Sequence, residues 1–185
     1  YDLADTEHCT GTTGAAATVP DKMYPGFFET AESIAGRSGA VIRSDGSTVI
    51  KHYFDRSTNT VSYAYTGAAT DVTPPVLPTA AAYRFGQSVT LASVPSLPGY
   101  DFSGWSLSPT LIISGGTFVM PDGPVIVTGS WTPRTDTPYT VEYYQQHTDD
   151  DGYELTDTEH CTGTTGTAAT VPDKMYPGFF ETAES

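Results

Sequence analysis

Short apolar runs separated by Gly, Pro and Asp-Gly turns recur along the chain of 185 residues. Val, Ile, Thr and Tyr, which are enriched in β-strands, dominate these runs. The spacing of the runs, about 10 to 15 residues with turn residues between them, favours a β-sandwich or barrel. A brief helix is expected only near residues 29–36, where Thr30 can cap the start and Gly36 can end it. The pattern predicts a mainly β fold with minor α structure. The predicted strands lie at residues 48–54, 60–65, 88–93, 100–105, 116–120, 124–131 and 139–144.

Two turns are expected to be architectural. Asp45 and Gly46 separate two apolar runs, and an Asp-Gly pair between such runs favours a tight β-hairpin. Tyr24, Pro25 and Gly26 form a second turn signal, because proline fixes φ and glycine accepts positive φ. We therefore assign structural roles to these five residues.

An internal repeat is the most informative feature of the sequence. Residues 1–33 recur as residues 153–185 at an offset of 152, and 30 of the 33 positions are identical. Cores tolerate wide hydrophobic substitution, so this identity indicates tandem duplication rather than a shared fold alone. The chain is interpreted as one 152-residue period of an array plus the start of the next. Either it is a piece of a longer array, or the ends of neighbouring chains complete each other by strand addition. The three differences are Asp2/Glu154, Ala4/Thr156 and Ala15/Thr167.

Composition and charge exclude several classes of partner. The chain carries 22 acidic and 8 basic side chains, a formal net charge of -14, whereas nucleic-acid binding depends on Lys and Arg. Apolar residues make up 38% and aromatic residues 12%, which is too much for a disordered chain. The sequence has neither a run of about 18 apolar residues nor a signal-peptide pattern. We expect a folded segment that binds no nucleic acid and inserts into no membrane.

Two sets of residues resemble modules of bacterial surface proteins. The sequences of residues 139–144, 174–179 and 45–56 resemble the mucin-binding-protein (MucBP) and internalin B-repeat modules. Those are small β-grasp-like domains, found in tandem on the surface of Gram-positive bacteria. Residues 61–67 and 98–131 look like the SHIRT-type stalk repeat of similar proteins. The two resemblances imply a rod-like extracellular stalk or adhesin, and they imply no ligand.

These resemblances suggest three modules. Residues 1–58 would form a MucBP/B-repeat-like module that lacks its first strand, and residues 59–133 a SHIRT-like β module. Residues 134–185 would begin the next MucBP/B-repeat-like module. Each 152-residue repeat would then contain a β-grasp-like and a β-sandwich-like domain, arranged as an extended rod. Trp105 and Trp131 close hydrophobic strands and are expected to fill the core of the middle module.

Cys9 and Cys161 occupy the same position in the two copies. One cysteine per period cannot form a disulfide inside its own repeat, so an oxidising exterior leaves either an inert thiol or an intermolecular bridge. His8 and His160 precede these cysteines and could lower the thiol pKa when protonated. The pair fits no zinc-finger spacing. Both cysteines stay candidates for an intermolecular disulfide.

The acidic turn at residues 149–152 follows the predicted strand 139–144 and predicts a hairpin with residues 153–155. Asp149 and Asp151 are weak candidates for calcium ligands, because clustered carboxylates are hard oxygen ligands. The turn departs from EF-hand spacing, which favours a solvated hairpin tip instead. We expect neither a resident metal nor a cofactor.

No arrangement of nucleophile, base and orienting group stands out, so the sequence predicts no enzyme. A Lys-to-Asp isopeptide bond is a further candidate, with Lys22, Lys51 and Lys174 as the chain's lysines. Together these observations favour a structural repeat of an extracellular, cell-surface or wall-anchored adhesin, stalk or fibre. Its partners would be neighbouring repeats or identical chains. The alternatives are a glycan- or mucin-binding module acting by avidity, and a filament subunit assembled by strand complementation.

Overall fold

The structure, a computed structural model, describes residues 2–67 and 72–180. This part of the chain contains eleven strands and one short helix, which confirms the predicted mainly β fold with minor α structure. The strands pair in several small sheets. The elements are β1 Phe27–Glu29, α1 Ala31–Arg37, β2 Phe54–Arg56, β3 Thr58–Thr66, β4 Ala81–Arg84, β5 Ser88–Thr90, β6 Tyr100–Phe102, β7 Ser106–Ser108, β8 Thr117–Val119, β9 Val125–Pro133, β10 Thr137–Gln146 and β11 Tyr153–Gly163.

The chain divides into two units, each formed by separate stretches of sequence. The strand order of the largest sheet is β4-β3-β9-β6, and β7 also pairs with β9. The division falls inside β3 and β9, so both strands contribute residues to each unit. The predicted module boundaries at 58/59 and 133/134 stay predictions. The first unit comprises Tyr1–Tyr63, Pro78–Ala92 and Leu107–Val127, and the second comprises Ala64–Leu77, Ser93–Ser106 and Thr128–Ser185.

The helix of the first unit begins where the sequence predicts. Thr30 is the N-cap, and its hydroxyl accepts a hydrogen bond from the Ser33 amide at 3.1 Å. The predicted end at Gly36 is wrong, because the helix continues through Gly36 to Arg37 and Ser38 is the C-cap. The left-handed backbone conformation that favours glycine comes later, at Gly39, where φ is 80°.

The core of the first unit is built from alternating strand positions. β3 pairs antiparallel with β4, β5 with β8, and β1 with β2. In β9, which continues into the second unit from Thr128, every second residue from Val125 to Trp131 is buried, the period of 2 expected for a strand with one covered face. Sequence patterning missed β4 and β7, which contain alanine or serine in place of a long apolar run. The buried apolar side chains of this unit are Val61, Val89, Leu107, Phe118, Met120, Val125 and Val127.

The hairpin predicted around Asp45 and Gly46 is wrong, although its turn is present. The Gly46 amide donates to the Arg43 carbonyl at 3.3 Å, and Asp45 accepts from the Ser47 amide at 3.0 Å. Residues 48–53 form no strand. The Thr48 hydroxyl instead accepts the Arg43 amide at 2.9 Å, a side-chain bond in place of a strand ladder.

Residues 40–42, on the other side of this turn, pair elsewhere. The Ala17 amide donates to the Ala40 carbonyl at 2.7 Å, and the Ile42 amide donates to the Ala15 carbonyl at 2.9 Å. A non-local partner therefore takes the backbone groups that an Asp-Gly hairpin would have used. The turn residues correctly predict a turn. The segment that pairs with residues 40–42 is distant in sequence, so the residues around the turn do not reveal it.

The second unit contains an aromatic cluster and a long hairpin. β6 pairs with β9 so that Phe102 lies opposite Trp131, and their ring centroids are 4.7 Å apart. Trp131 is buried, with Leu97 and Tyr100 in the same core. Trp105 is half-buried and lies 4.9 Å from the Phe102 ring, so the two tryptophans share one cluster.

The predicted hairpin at the acidic turn is confirmed and is longer than expected. β10 and β11 pair antiparallel from Thr137 opposite Gly163 to Gln146 opposite Tyr153, with a bulge between Tyr143 and Tyr144. Residues 164–180, which follow this hairpin, form no strand.

Candidate interaction surface

One face of the β10–β11 hairpin carries a set of tyrosines that contact the chain segment following β11. The Tyr139 hydroxyl donates to the Thr170 carbonyl at 2.5 Å, and the Tyr143 hydroxyl donates to the Pro172 carbonyl at 3.3 Å. Alternation of side chains along β10 places these two tyrosines on the same face. Burial raises the pKa of both hydroxyls, so each remains a neutral donor at neutral pH. The tyrosines thus tie the segment 170–172 to the hairpin.

Lys174 holds two carboxylates of β11 on this face. Its ammonium contacts Asp157 and lies 2.6 Å from a Glu159 oxygen, and it stands 4.9 Å from the centre of the Tyr143 ring. The hydrogen bonds that Lys174 donates to Asp157 and Glu159 raise the pKa of Lys174, and the same contact lowers the pKa of Asp157. A protonated amine is not a nucleophile, so this arrangement favours an ion pair over an isopeptide bond.

Replacing Lys174 by Ala is expected to raise the pKa of the Asp157 carboxyl toward its ordinary value, because its main hydrogen-bond donor is removed. The folded-state pKa of Asp157 lies below its unfolded value, so its contribution to stability is present above the unfolded pKa and is lost as pH falls through the folded one. An NMR pH titration of the Asp157 side chain measures the change. Lys51→Ala, which removes a lysine outside this ion pair, is the control; equal Asp157 titration in both variants would contradict the assignment.

The tip of the hairpin brings His147, Asp149 and Asp150 together, with one ligand atom of each within 4.8 Å of the others. Asp150 accepts the Gly152 amide at 2.6 Å and contacts His147 Nδ1 at 2.8 Å, which closes the turn. Of the two calcium candidates, Asp149 belongs to this group and Asp151 does not. The contacts of Asp150 match a solvated hairpin tip, and the calcium assignment stays a prediction.

Both cysteines are free thiols, Cys9 exposed and Cys161 half-buried. Cys161 lies in β11 opposite Tyr139 of β10. Burial is the main cause of the raised pKa of the Tyr139 hydroxyl, and Cys161 is the second cause. The same sequence position therefore has two environments. An intermolecular disulfide through either cysteine stays a prediction.

Cys9 is expected to react with a soluble thiol reagent several times faster than Cys161, because only Cys161 is covered by a neighbouring strand. Stopped-flow labelling of the single variants Cys161→Ser and Cys9→Ser isolates each rate. Labelling of both variants in denaturant gives the control, where the two rates should agree. Equal rates in the folded chains would contradict the difference in cover.

The predicted turn at Tyr24, Pro25 and Gly26 is present and has partners that the local sequence did not reveal. Gly26 has φ 80°, and its amide donates to the Asp122 carboxylate at 2.9 Å. A Cβ at this glycine would lie 2.3 Å from the Phe85 ring. Both the positive φ and this close approach therefore favour glycine. The Tyr24 ring packs edge-on against Phe54 at 5.0 Å. Asp122 and Phe85 are distant in sequence, and no local signal pointed to them.

A known family matches the middle of the chain. Residues 60–135 match the family described as divergent InlB B-repeat domain. The match supports an internalin B-repeat-like module of a bacterial surface protein. Its position differs from expectation, because the B-repeat resemblance was assigned to the flanking segments and the SHIRT resemblance to this one. No curated protein and no solved structure matches the chain.

The family match also bears on location, since a surface-protein repeat suggests an extracellular position. Within residues 2–67 and 72–180, no helix combines the length and the apolar character needed to cross a bilayer. How the protein is anchored stays a prediction.

Proposed function

We propose that this chain is a structural repeat of an extracellular bacterial surface adhesin, stalk or fibre, which projects or links a binding region. The observation that carries the proposal is a B-repeat-like segment, residues 60–135, flanked by two nearly identical 33-residue sequences. A duplicated sequence on both sides of a surface module is what a tandem array predicts. The role is mechanical, and no catalytic chemistry is required.

The physical properties of the chain suit this role. Both units contain buried apolar side chains. The net charge of -14 keeps the surface solvated and makes repeats repel one another. A long array would multiply that charge with each period.

Small-angle scattering of the chain tests the stalk. A compact protein of this length has a radius of gyration of about 16 Å, and a stalk repeat is expected to give a clearly larger value at all concentrations. Engineered chains with two and three 152-residue periods are the matched series. The maximum dimension should rise by a constant increment per period; a radius near the compact value that fails to grow with period number contradicts the stalk.

A glycan-binding module is the second candidate. Exposed aromatic side chains support it, since aromatic rings can stack on sugars; Phe28, Tyr144 and Tyr153 are 53%, 54% and 57% exposed. A glycan array probed with the intact chain is the test. Concentration-dependent binding that Tyr144→Ala removes and Leu155→Ala retains would favour recognition. Absence of binding together with an elongated shape would favour the stalk.

The third candidate is a filament subunit. Nearly identical sequences that form a paired strand in one copy and no strand in the other support it. Sedimentation across a dilution series tests assembly between chains, and a strictly monomeric chain at every concentration contradicts it.

A further inference from the structure

The two copies of the repeated sequence have different environments. Residues 153–163 of the second copy form β11 and pair with β10. Residues 2–11 of the first copy have no strand structure and are all exposed. The difference is sharpest at four alternating positions, which are half-buried in the second copy and exposed in the first. The half-buried residues are Asp157, Glu159, Cys161 and Gly163, and their equivalents are Asp5, Glu7, Cys9 and Gly11.

The first copy nevertheless makes the same ion pairs as the second. Lys22 contacts Asp5 and lies 2.6 Å from Glu7, as Lys174 contacts Asp157 and lies 2.6 Å from Glu159. The Asp5 carboxylate accepts the Thr6 amide at 2.7 Å, and Asp157 accepts the Thr158 amide at 2.8 Å. These ion pairs form without β10. The ion pairs whose Glu159 and Lys174 contact Tyr143 of β10 in the second copy are therefore already formed in the first.

The groups that β10 uses have counterparts in the first copy. Tyr139 donates to the carbonyl of Thr170, whose equivalent is Thr18. Tyr143 donates to Pro172 and contacts Glu159, whose equivalents are Pro20 and Glu7. A strand with the sequence of β10 would thus find the equivalent hydrogen-bond acceptors at Thr18, Pro20 and Glu7.

One side chain stands where a tyrosine would lie. A Cβ at Gly163 would meet the Tyr139 ring at 3.3 Å, whereas a Cβ at Gly11 would meet Ile42 Cδ1 at 2.4 Å. The end of an isoleucine side chain can rotate, so a tyrosine can take its place. Ile42 is therefore a reporter of strand addition.

We propose that residues 2–11 are an acceptor edge for a strand with the sequence of β10, supplied by the adjacent copy of the repeat and joined ahead of Tyr1 by the same acidic turn. The register is that of β10 and β11, which sets the Tyr139 equivalent opposite Cys9 and the Tyr144 equivalent opposite Leu3. The hairpin then links consecutive repeats, because its first strand ends one period and its second begins the next. This inference rests on the tandem array of the proposed function.

A strand from a separate chain and a strand joined directly ahead of residue 1 differ in whether a competing partner already holds them. β10 of a separate chain is already paired with its own β11 through a short turn, which gives that partner a high effective concentration. A separate chain would have to open this hairpin to donate its strand. A strand joined directly ahead of residue 1 has the same tether and no competing partner. The adjacent repeat is thus the occupant.

The test is an extension of the full chain at its N-terminus by the sequence of residues 134–152. A matched control carries the same extension with proline at the Val141 and Tyr143 equivalents, which removes ladder donors. Hydrogen exchange of residues 3–11 is expected to slow by about tenfold or more in the first chain and to stay unchanged in the control. The differences at positions 2/154 and 4/156 separate the two copies by mass. The Ile42 methyl resonance should also shift through the ring current of the added tyrosine.

Three outcomes overturn the proposal. In the first outcome, exchange at residues 3–11 stays fast in the extended chain while residues 153–163 are protected in the same sample. This result contradicts the acceptor edge. Equal protection of residues 3–11 in the extended chain and in the proline control contradicts the proposed strand register. Protection in the unextended chain on raising its concentration assigns the strand to a separate chain. Each result is independent of the scattering experiment, so a failed stalk and a failed acceptor edge are distinguishable.

Discussion

Trp131→Ala is expected to lower the free energy of unfolding by about 3–5 kcal/mol, the usual cost of emptying a buried tryptophan site. The side chain is 5% exposed and lies 4.7 Å from the Phe102 ring and 5.6 Å from the Tyr65 ring. Leu97 and Tyr100 belong to the same core, so the substitution leaves a cavity lined by aromatic and aliphatic groups. Urea unfolding followed by fluorescence of Trp105, the remaining tryptophan, measures the loss.

Two further variants make the result specific. Trp131→Phe keeps a ring in the site, and Trp131 Nε1 has no hydrogen-bond partner among the described residues, so its loss should be clearly smaller. Val76→Ala, at a position 97% exposed, is expected to change stability by less than about 0.5 kcal/mol. Similar unfolding curves for Trp131→Ala and Val76→Ala would show that Trp131 is not a core residue.

Gly129→Ala is expected to destabilise the chain by about 1–3 kcal/mol through overpacking. A Cβ at this position would lie 2.2 Å from Phe102 Cζ and 3.1 Å from the Trp105 ring. Neither ring can retreat freely, because Phe102 also packs against Trp131 at 4.7 Å. Chemical denaturation gives the difference in free energy.

The control for added volume is Gly36→Ala. Gly36 lies within α1 and has open space around its Cβ position, so alanine there should be neutral or stabilising by up to about 1 kcal/mol. Phe102→Leu combined with Gly129→Ala should cost less than the sum of the two single changes, since the smaller side chain relieves the clash. Strict additivity would contradict the assigned contact.

The two tryptophans and Gly129 differ in how much of their environment the local sequence predicts. Trp105 and Trp131 end predicted strands rich in apolar residues, and this local feature predicts that both fill a core; Trp131 is buried, whereas Trp105 is half-buried. Gly129 lies in the same strand as Trp131, but its sequence neighbours give no indication that Phe102 covers it. The pairing of β6 with β9 creates that contact, and pairing partners are not encoded in local alternation.

The turn residues show the same division. Asp45 and Gly46 form their predicted turn, yet the segment before it pairs with residues 15–17 in place of a hairpin partner. Thr30 caps α1 as predicted, because an N-cap needs only groups within three residues. The N-cap and the turn involve only neighbouring residues and are present, whereas the hairpin is absent because a distant segment takes the backbone groups of residues 40–42.

The sequence by itself determined the mainly β class, the capped start of the helix, the β10–β11 hairpin and the 152-residue duplication. Each depends on alternation, local turn chemistry or self-comparison. Only the tertiary structure decided what the duplicated sequence becomes. Residues 153–163 form a strand because β10 lies beside them, whereas residues 2–11, with nearly the same side chains, form none. A strand needs a partner to satisfy its backbone hydrogen bonds, and that partner is a property of the fold around the sequence.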